Sequence, residues 1–276
     1  MSRRLGQHFL KNAGKIRKIA DSLELKRGDF VIEIGPGHGE MTQELGARQQ
    51  ALSIRIIAIE KDPRLVEKLN EKFHPPAGGP KIEIIGNDVL KILTEVPKAY
   101  GLKPKAYKIV GNIPYYITGK LLRILSELEP KPEIIVLTVQ KEVAERLTAR
   151  PPKMNLLAAS VQFWADPEII DYISKSDFKP QPKVDSAIVK LKIKNYESGI
   201  MDNYYKLIKI LFKQPRKTIL NNLSAGLSLG KDKITGRLDA LKISPSDRPQ
   251  NLGIEEIMKL SRELEMKNVL SIRGSA

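Results

Sequence analysis

The sequence has no cysteine, which removes disulfides, thiolate metal sites and cysteine nucleophiles together. That absence fits a reducing compartment, and a cytoplasmic protein is expected. Histidine is nearly as scarce. His8, His38 and His74 lie far apart and show no metal-ligand spacing, so no metal is expected. Nowhere do about 18 apolar residues run together, so no membrane span is expected, and "MSRRLGQHFLKN" lacks the apolar stretch of a secretory signal. Acidic residues are in deficit. Against 47 Lys and Arg stand 32 Asp and Glu, a formal charge of +15 over 276 residues. Such an excess points to a polyanionic partner, nucleic acid first, with a Lys-rich solvated surface as the plainer alternative.

What is present is a chain 41% hydrophobic, long enough for an α/β domain and a smaller second one. Short β-rich runs at 30–35, 54–60, 81–88, 107–112 and 132–140 alternate with amphipathic stretches at 12–25, 39–48, 63–73, 117–128 and 141–150. The alternation predicts a mostly parallel sheet covered on both faces. "NLLAASVQFWA" (155–165) reads as a helix. The last two strands, 168–174 and 184–193, are joined by a loop too short for a crossover helix, so they are expected to pair antiparallel. From 201 the pattern turns helical. The expected domains are residues 1–195 and a small all-helical domain over 201–276.

Ligands of such sheets bind outside the carboxyl ends of the strands. Strand one ends in "EIGPGHGE", where Gly35, Gly37 and Gly39 let the backbone turn tightly and approach a ligand. Strand two ends in Glu60, a carboxylate able to accept from two ribose hydroxyls. Strand three ends in "GND", which puts Asp88 in reach of an adenine amino group, and strand four ends in Asn112. Together these describe a nucleoside pocket. Dinucleotide enzymes also carry a glycine loop and a later acid, but the spacing here is G-x-G-x-G, which favours a methyl donor.

The stretch "VGNIPYYITG" (110–119) stops an apolar strand in an amide, a proline and two tyrosines. An exocyclic amine of a base is a poor nucleophile because its lone pair is delocalised into the ring. Two acceptors aimed at its N–H bonds localise that pair and point it at an electrophile. The Asn112 side-chain oxygen and the Pro114 carbonyl can be those acceptors, and Tyr115 can stack on the base. No strong base is needed, because the amine loses its proton readily once methylated, and the main contribution is geometry. A Pro-containing turn with packed tyrosines is the alternative.

Seven blocks, "LGQHFL" (5–10), "EIGPGHGEMT" (33–42), "IIAIEKD" (56–62), "GNIPYYIT" (111–118), "QKEVAERL" (140–147), "FKPQPKVDSAIVKL" (178–191) and "FKQPRKTILNNL" (212–223), occur in order over nearly the whole chain. With them the chain resembles the ribosomal RNA adenine N6-dimethyltransferases, most of all the branch that modifies two adjacent adenosines near the 3′ end of small-subunit RNA. The resemblance implies a class I, Rossmann-like methyltransferase sheet using S-adenosylmethionine. It implies donor contacts at His8, Leu10, Gly35, Glu60, Asp88 and Asn112, catalysis at Asn112, Pro114 and Tyr115, and a base-covering aromatic at Phe178. Many relatives have a longer loop where this chain has "PPKMNLLAAS" (151–160).

RNA contacts are expected from Arg3, Arg4 and Lys11 beside the donor pocket and from Lys213, Arg216 and Lys217, with Lys206 and Lys209, in the helical domain. The expected partner is the small ribosomal subunit, and the expected state a monomer. Three alternatives stay open: a large-subunit adenine methyltransferase of the macrolide-resistance type, a non-catalytic assembly factor, and a DNA adenine methyltransferase.

Overall fold

The structure is a computed structural model that describes residues 7–73, 82–194, 198–227 and 229–264. These fall into two compact units, one within Met1–Glu145 and Ala165–Ile193, the other within Arg146–Trp164 and Lys194–Ala276. A single boundary near residue 195 was expected, with 146–164 in the first domain. The structure instead places 146–164 with the second unit. The fully buried Tyr204 shows why: its hydroxyl donates to the Ala159 carbonyl at 2.8 Å and its ring stacks on Phe163 at 4.3 Å.

Among the described residues the first unit has nine strands: β1 (Phe9–Leu10), β2 (Phe30–Ile34), β3 (Arg55–Glu60), β4 (Ile82–Gly86), β5 (Tyr107–Asn112), β6 (Ile134–Gln140), β7 (Ala165–Ile173), β8 (Phe178–Lys179) and β9 (Ser186–Ile193). Seven form one sheet in the order β4-β3-β2-β5-β6-β9-β7, and β1 pairs with β8 in a separate antiparallel ribbon. The first five of that sheet run parallel, and β9 is antiparallel to both β6 and β7. The fold is thus the expected mostly parallel α/β sheet, with its last strands antiparallel.

Every residue of β2 is buried, as a strand covered on both faces requires. Val31, Ala58, Val110, Val136 and Ile188 pack with Ile19, Ala20, Leu23 and Leu45. From β2 the chain winds outward through β3 and β4, then returns to place β5 on the other side of β2. Strand order reverses there, so the crevice at the carboxyl ends of β2 and β5 is the natural ligand position.

Two local expectations needed adjustment. The helix read over 155–165 is shorter, Leu156–Gln162, and Ala165 already pairs with Ile193 as the first residue of β7. The β1–β8 ribbon was not foreseen, because two residues carry no period. Among the described residues no helix is long and apolar enough to cross a membrane.

Buried ionisable side chains inside the sheet include Lys108 and Glu33. Lys108 is fully buried, and its ammonium donates to the Glu24 carbonyl at 2.6 Å and faces Asp29 at 2.8 Å. Such a charge is tolerable only with these partners. Glu33, in β2, is 1% exposed, and its Oε2 makes no hydrogen bond among the described residues. Withdrawal from water, opposed by the Thr42 hydroxyl and reinforced by the neighbouring carboxylates of Glu60 and Glu40, pushes its pKa from the ordinary 4.5 up to about 8.

This makes stability depend on pH. Below pH 4.5 Glu33 is protonated in both states; between 4.5 and about 8 only the unfolded chain releases the proton. Stability therefore falls as pH rises through that window, by up to about 1.4 kcal/mol per unit, and no further above it. Glu33→Gln removes the titration. Denaturant unfolding between about pH 5 and pH 8 is expected to show the variant gaining on the parent as pH rises; a constant difference would mean that Glu33 is ionised in the fold.

Candidate active site

The carboxyl ends of β2, β3 and β5 and the turn after β4 open into one cleft. His8, Gly35, Gly37, Glu60, Asp88, Asn112, Pro114 and Tyr115 all line it. Residues picked from five separate stretches of sequence are thus brought together.

The loop after β2 sets the floor. Gly35 and Gly37 adopt φ of 67° and 61°, in the left-handed region, where a side chain is strained. At Gly37 a Cβ would also fall 2.7 Å from the Phe9 ring. The Gly37 amide donates to Glu60 Oε2 at 3.2 Å, while Glu60 Oε1 accepts from the amides of Lys61 and Asp62 at 2.8 and 2.9 Å. Glu60 is 3% exposed, and these three donors fix its carboxylate in place. A carboxylate offers about four acceptor positions, so capacity remains for hydroxyls in the cleft.

Asp88 is placed by the backbone that follows it. Its Oδ1 accepts from Leu90 N at 3.0 Å, capping the helix Val89–Ile92, and its Oδ2 holds the Lys61 ammonium at 2.8 Å. Burial opposes ionisation of Asp88, but the Lys61 and Leu90 bonds outweigh it and keep its pKa below the ordinary 3.8.

Asn112 ends β5. Its Nδ2 donates to the His8 carbonyl at 2.8 Å, which commits the amide nitrogen and leaves Oδ1 as the acceptor available on the cleft side. His8 is itself fixed, its Nδ1–H donating to the Pro180 carbonyl at 2.8 Å. Its ring stacks on Tyr115 with centroids 5.9 Å apart and planes 23° apart. The Pro114 carbonyl already accepts from Ile117 N at 3.1 Å, closing the 3₁₀ turn Tyr115–Ile117, and keeps its second lone pair. The Tyr115 hydroxyl lies 2.7 Å from Ser186 Oγ. Burial raises the Tyr115 pKa, with the Ser186 bond opposing, so the phenol is neutral at ordinary pH.

Other expected residues lie elsewhere. Leu10 and Phe178 face each other across the β1–β8 ribbon and are each 5% exposed within the core; neither side chain lines the cleft. Leu10 instead borders a smaller neighbouring cavity. The Lys11 ammonium is paired with the Glu40 carboxylate. Lys213, Arg216 and Lys217 are exposed on the turn between the helices Met201–Leu211 and Ile219–Leu227 of the second unit. Arg3 and Arg4 lie outside the described residues.

Three contributors escaped sequence reasoning. Phe9 fills the space under Gly37, Lys61 holds Asp88, and Ser186 holds the Tyr115 hydroxyl. Each stood inside a quoted motif, and Ser186 also stood out as a polar residue opening the apolar run "SAIVKLKI".

Comparison with known proteins adds independent findings. The model of the family described as ribosomal RNA adenine dimethylase matches residues 1–265. A ribosomal RNA small subunit methyltransferase A of Dehalococcoides mccartyi (strain CBDB1) is 40% identical over 264 residues, covering 94% of this chain and 87% of the relative. One of the same description from Moorella thermoacetica is 36% identical over 271 residues, covering 94% and 91%. Among solved structures, a dimethyladenosine transferase from Plasmodium falciparum superposes with a TM-score of 0.77 at 28% identity, covering 92% of this chain and 96% of that one. The 23S rRNA methyltransferase ErmE does so with 0.71 at 26%, covering 93% and 99%.

The geometry makes Glu60 a structural as well as a cleft-facing group. Glu60→Ala leaves the amides of Gly37, Lys61 and Asp62 without their acceptor, and a buried unpaired donor costs about 1–3 kcal/mol. Chemical denaturation is expected to show a loss of at least that size, partly restored in Glu60→Gln, whose one carbonyl oxygen still accepts. An Ala variant as stable as the parent would mean that the loop after β2 holds its shape unaided.

Proposed function

Because the chain belongs to the ribosomal RNA adenine dimethylase family, we propose that it is the S-adenosylmethionine-dependent methyltransferase that converts two adjacent adenosines near the 3′ end of small-subunit rRNA to N6,N6-dimethyladenosine during small-subunit biogenesis. One observation carries the chemistry: the Asn112 amide, turned by the His8 carbonyl so that its oxygen stays free, lies beside the Tyr115 ring on the same cleft as the Glu60 carboxylate.

The residues fit the donor. Glu60 retains acceptor capacity for two ribose hydroxyls, Asp88 offers a carboxylate for an adenine amino group, and no side chain fits at Gly37, where the floor must lie close to a ligand. Bound there, the donor supplies an electrophilic methyl group on a sulfonium. The protein's part is orientation. Asn112 Oδ1 and the second lone pair of the Pro114 carbonyl accept the two N–H bonds of the target amine, which localises its lone pair and aims it in line. Tyr115 presents its ring to the base. The methylated amine then loses its proton to solvent without a dedicated base. Main-chain contacts are the role left to Leu10, and Phe178 would reach the base only after leaving its core position.

The finer readings belong to the same proposal. Substrate is presented on the small ribosomal subunit, the enzyme acts as a cytoplasmic monomer, and the exposed Lys213, Arg216 and Lys217 contact RNA phosphates, with Arg3 and Arg4 adding to them. Lys11 joins them by exchanging Glu40 for a phosphate. Likeness to ErmE supports a large-subunit target as the second reading. The description shared by the relatives at 36% and 40% identity favours the small subunit.

Transfer of labelled methyl groups to under-methylated small subunits, large subunits, naked rRNA and DNA tests the assignment, with small subunits expected to be labelled fastest. Tyr115→Ala removes stacking worth about 1–3 kcal/mol and is expected to slow single-turnover methylation roughly ten- to a hundredfold. Asn112→Ala, which also frees the segment at His8, is expected to be slower still. Subunit association should barely change in either, and a Tyr115→Ala enzyme with the parent's rate would refute the clamp.

Removing Lys213, Arg216 and Lys217 together is expected to weaken binding to small subunits and to flatten its salt dependence by about one unit of slope per lost phosphate contact. Unchanged affinity and slope would place the RNA on another face.

A further inference from the structure

The catalytic turn is irregular backbone, and irregular backbone does not by itself fix the plane of an aromatic ring. After Asn112 the turn is held by the Ile117 N to Pro114 carbonyl bond and by a long 3.4 Å contact from Ile113 N to the Thr138 carbonyl. The Tyr115 ring has one direct bond to the sheet, from its hydroxyl to Ser186 Oγ at 2.7 Å. Ser186 is well chosen as an anchor. It is completely buried and opens β9, and its backbone lies in register with Gln140 of β6 on one side and Ile173 of β7 on the other. The preceding residue pins two more segments, its carbonyl accepting from Lys141 N at 3.0 Å and its Oδ1 from Lys175 N at 2.9 Å.

We infer that Ser186 is a positioning residue for methyl transfer: its hydroxyl ties the Tyr115 ring to the sheet, so that the stacking plane stands at a set angle to the acceptors of Asn112 and Pro114. Two consequences follow from the chemistry. With the hydroxyl tied at one edge and the His8 ring offset against one face, the ring has a single accessible orientation before substrate arrives. The bond also occupies the phenol with a group outside the amine site, where a free phenol O–H would compete for the Asn112 and Pro114 oxygens. A buried Ser opening an apolar strand is unexplained by packing, since Ala fills the same space without a polar atom to satisfy. The inference rests on the base-clamp reading of Tyr115.

The test is a double-mutant cycle on single-turnover methylation of under-methylated small subunits, with S-adenosylmethionine affinity measured by calorimetry alongside. Tyr115→Phe and Ser186→Ala each remove the same bond from opposite ends. Each is expected to slow transfer about three- to tenfold, as loss of one hydrogen bond implies, with donor affinity unchanged. The double variant is expected to be no slower than either single one, because the bond can be lost only once. A merely structural role for Ser186 predicts the opposite, rate losses that multiply and a fall in donor affinity, and that result overturns the inference. So does either single variant at the parent rate. Tyr115→Ala separates the two levels. If it is slow while Tyr115→Phe is not, the tether fails and the clamp stands; if Tyr115→Ala is also as fast as the parent, the clamp itself fails.

Discussion

The hydrogen bond from the Asn112 amide to the His8 carbonyl holds the candidate site together. It joins the N-terminal segment to the end of β5, and both halves of the cleft hang from that joint. On the N-terminal side, Phe9 supplies the surface against which Gly37 must stay without a side chain, and His8 places its ring on Tyr115. On the strand side, the bond decides which end of the amide is free. An amide left to rotate would present a donor as often as an acceptor, and a donor cannot hold an amine's N–H bonds. In the proposed reaction, one main-chain carbonyl thus decides whether Asn112 is chemically competent.

The donor half is built on a different economy of hydrogen bonds. Glu60 is nearly buried, yet three backbone amides surround it, so its charge is held by dipoles that cannot move away. This couples the loop after β2 to the end of β3 and makes the floor a consequence of the wall. Asp88 is arranged in the same way, with one oxygen on the helix start behind it and the other on Lys61. Preorganisation of this kind matters more than the count of contacts, because a ligand meets groups already desolvated and oriented.

The parts of this architecture that sequence reasoning recovered are those written as local chemistry. Alternating apolar runs with glycine at their ends predicted the parallel strands. The short loop before β9 predicted its antiparallel pairing, and polar residues at strand ends named Glu60, Asp88 and Asn112. What escaped depends on contacts between distant segments. Nothing in "FL" or "FK" says that two residues pair with two others about 170 positions away, and the burial of Leu10 and Phe178 against each other rests on that pairing. The compact units differ from the expected division for the same reason: contacts such as those of Tyr204 with Ala159 and Phe163 and of Tyr205 with Ser160 join 146–164 to the second unit. Ser186 and Lys61 stood inside conspicuous motifs, but their partners are 71 and 27 residues away.

Charge is divided between two tasks of opposite sign. The chain carries +15 overall, which suits a polyanionic RNA approached from a distance, where the summed field matters. The cleft is lined instead by the Glu60 and Asp88 carboxylates, which suits a donor bearing a sulfonium at short range. A third carboxyl close by would make the site costly to keep ionised, and Glu33, buried one strand from Glu60, is kept protonated with its pKa raised to about 8. The two carboxylates that line the cleft are thus accompanied by one held neutral behind them. In the proposed reaction, a basic surface would attract RNA without having to neutralise the cleft first.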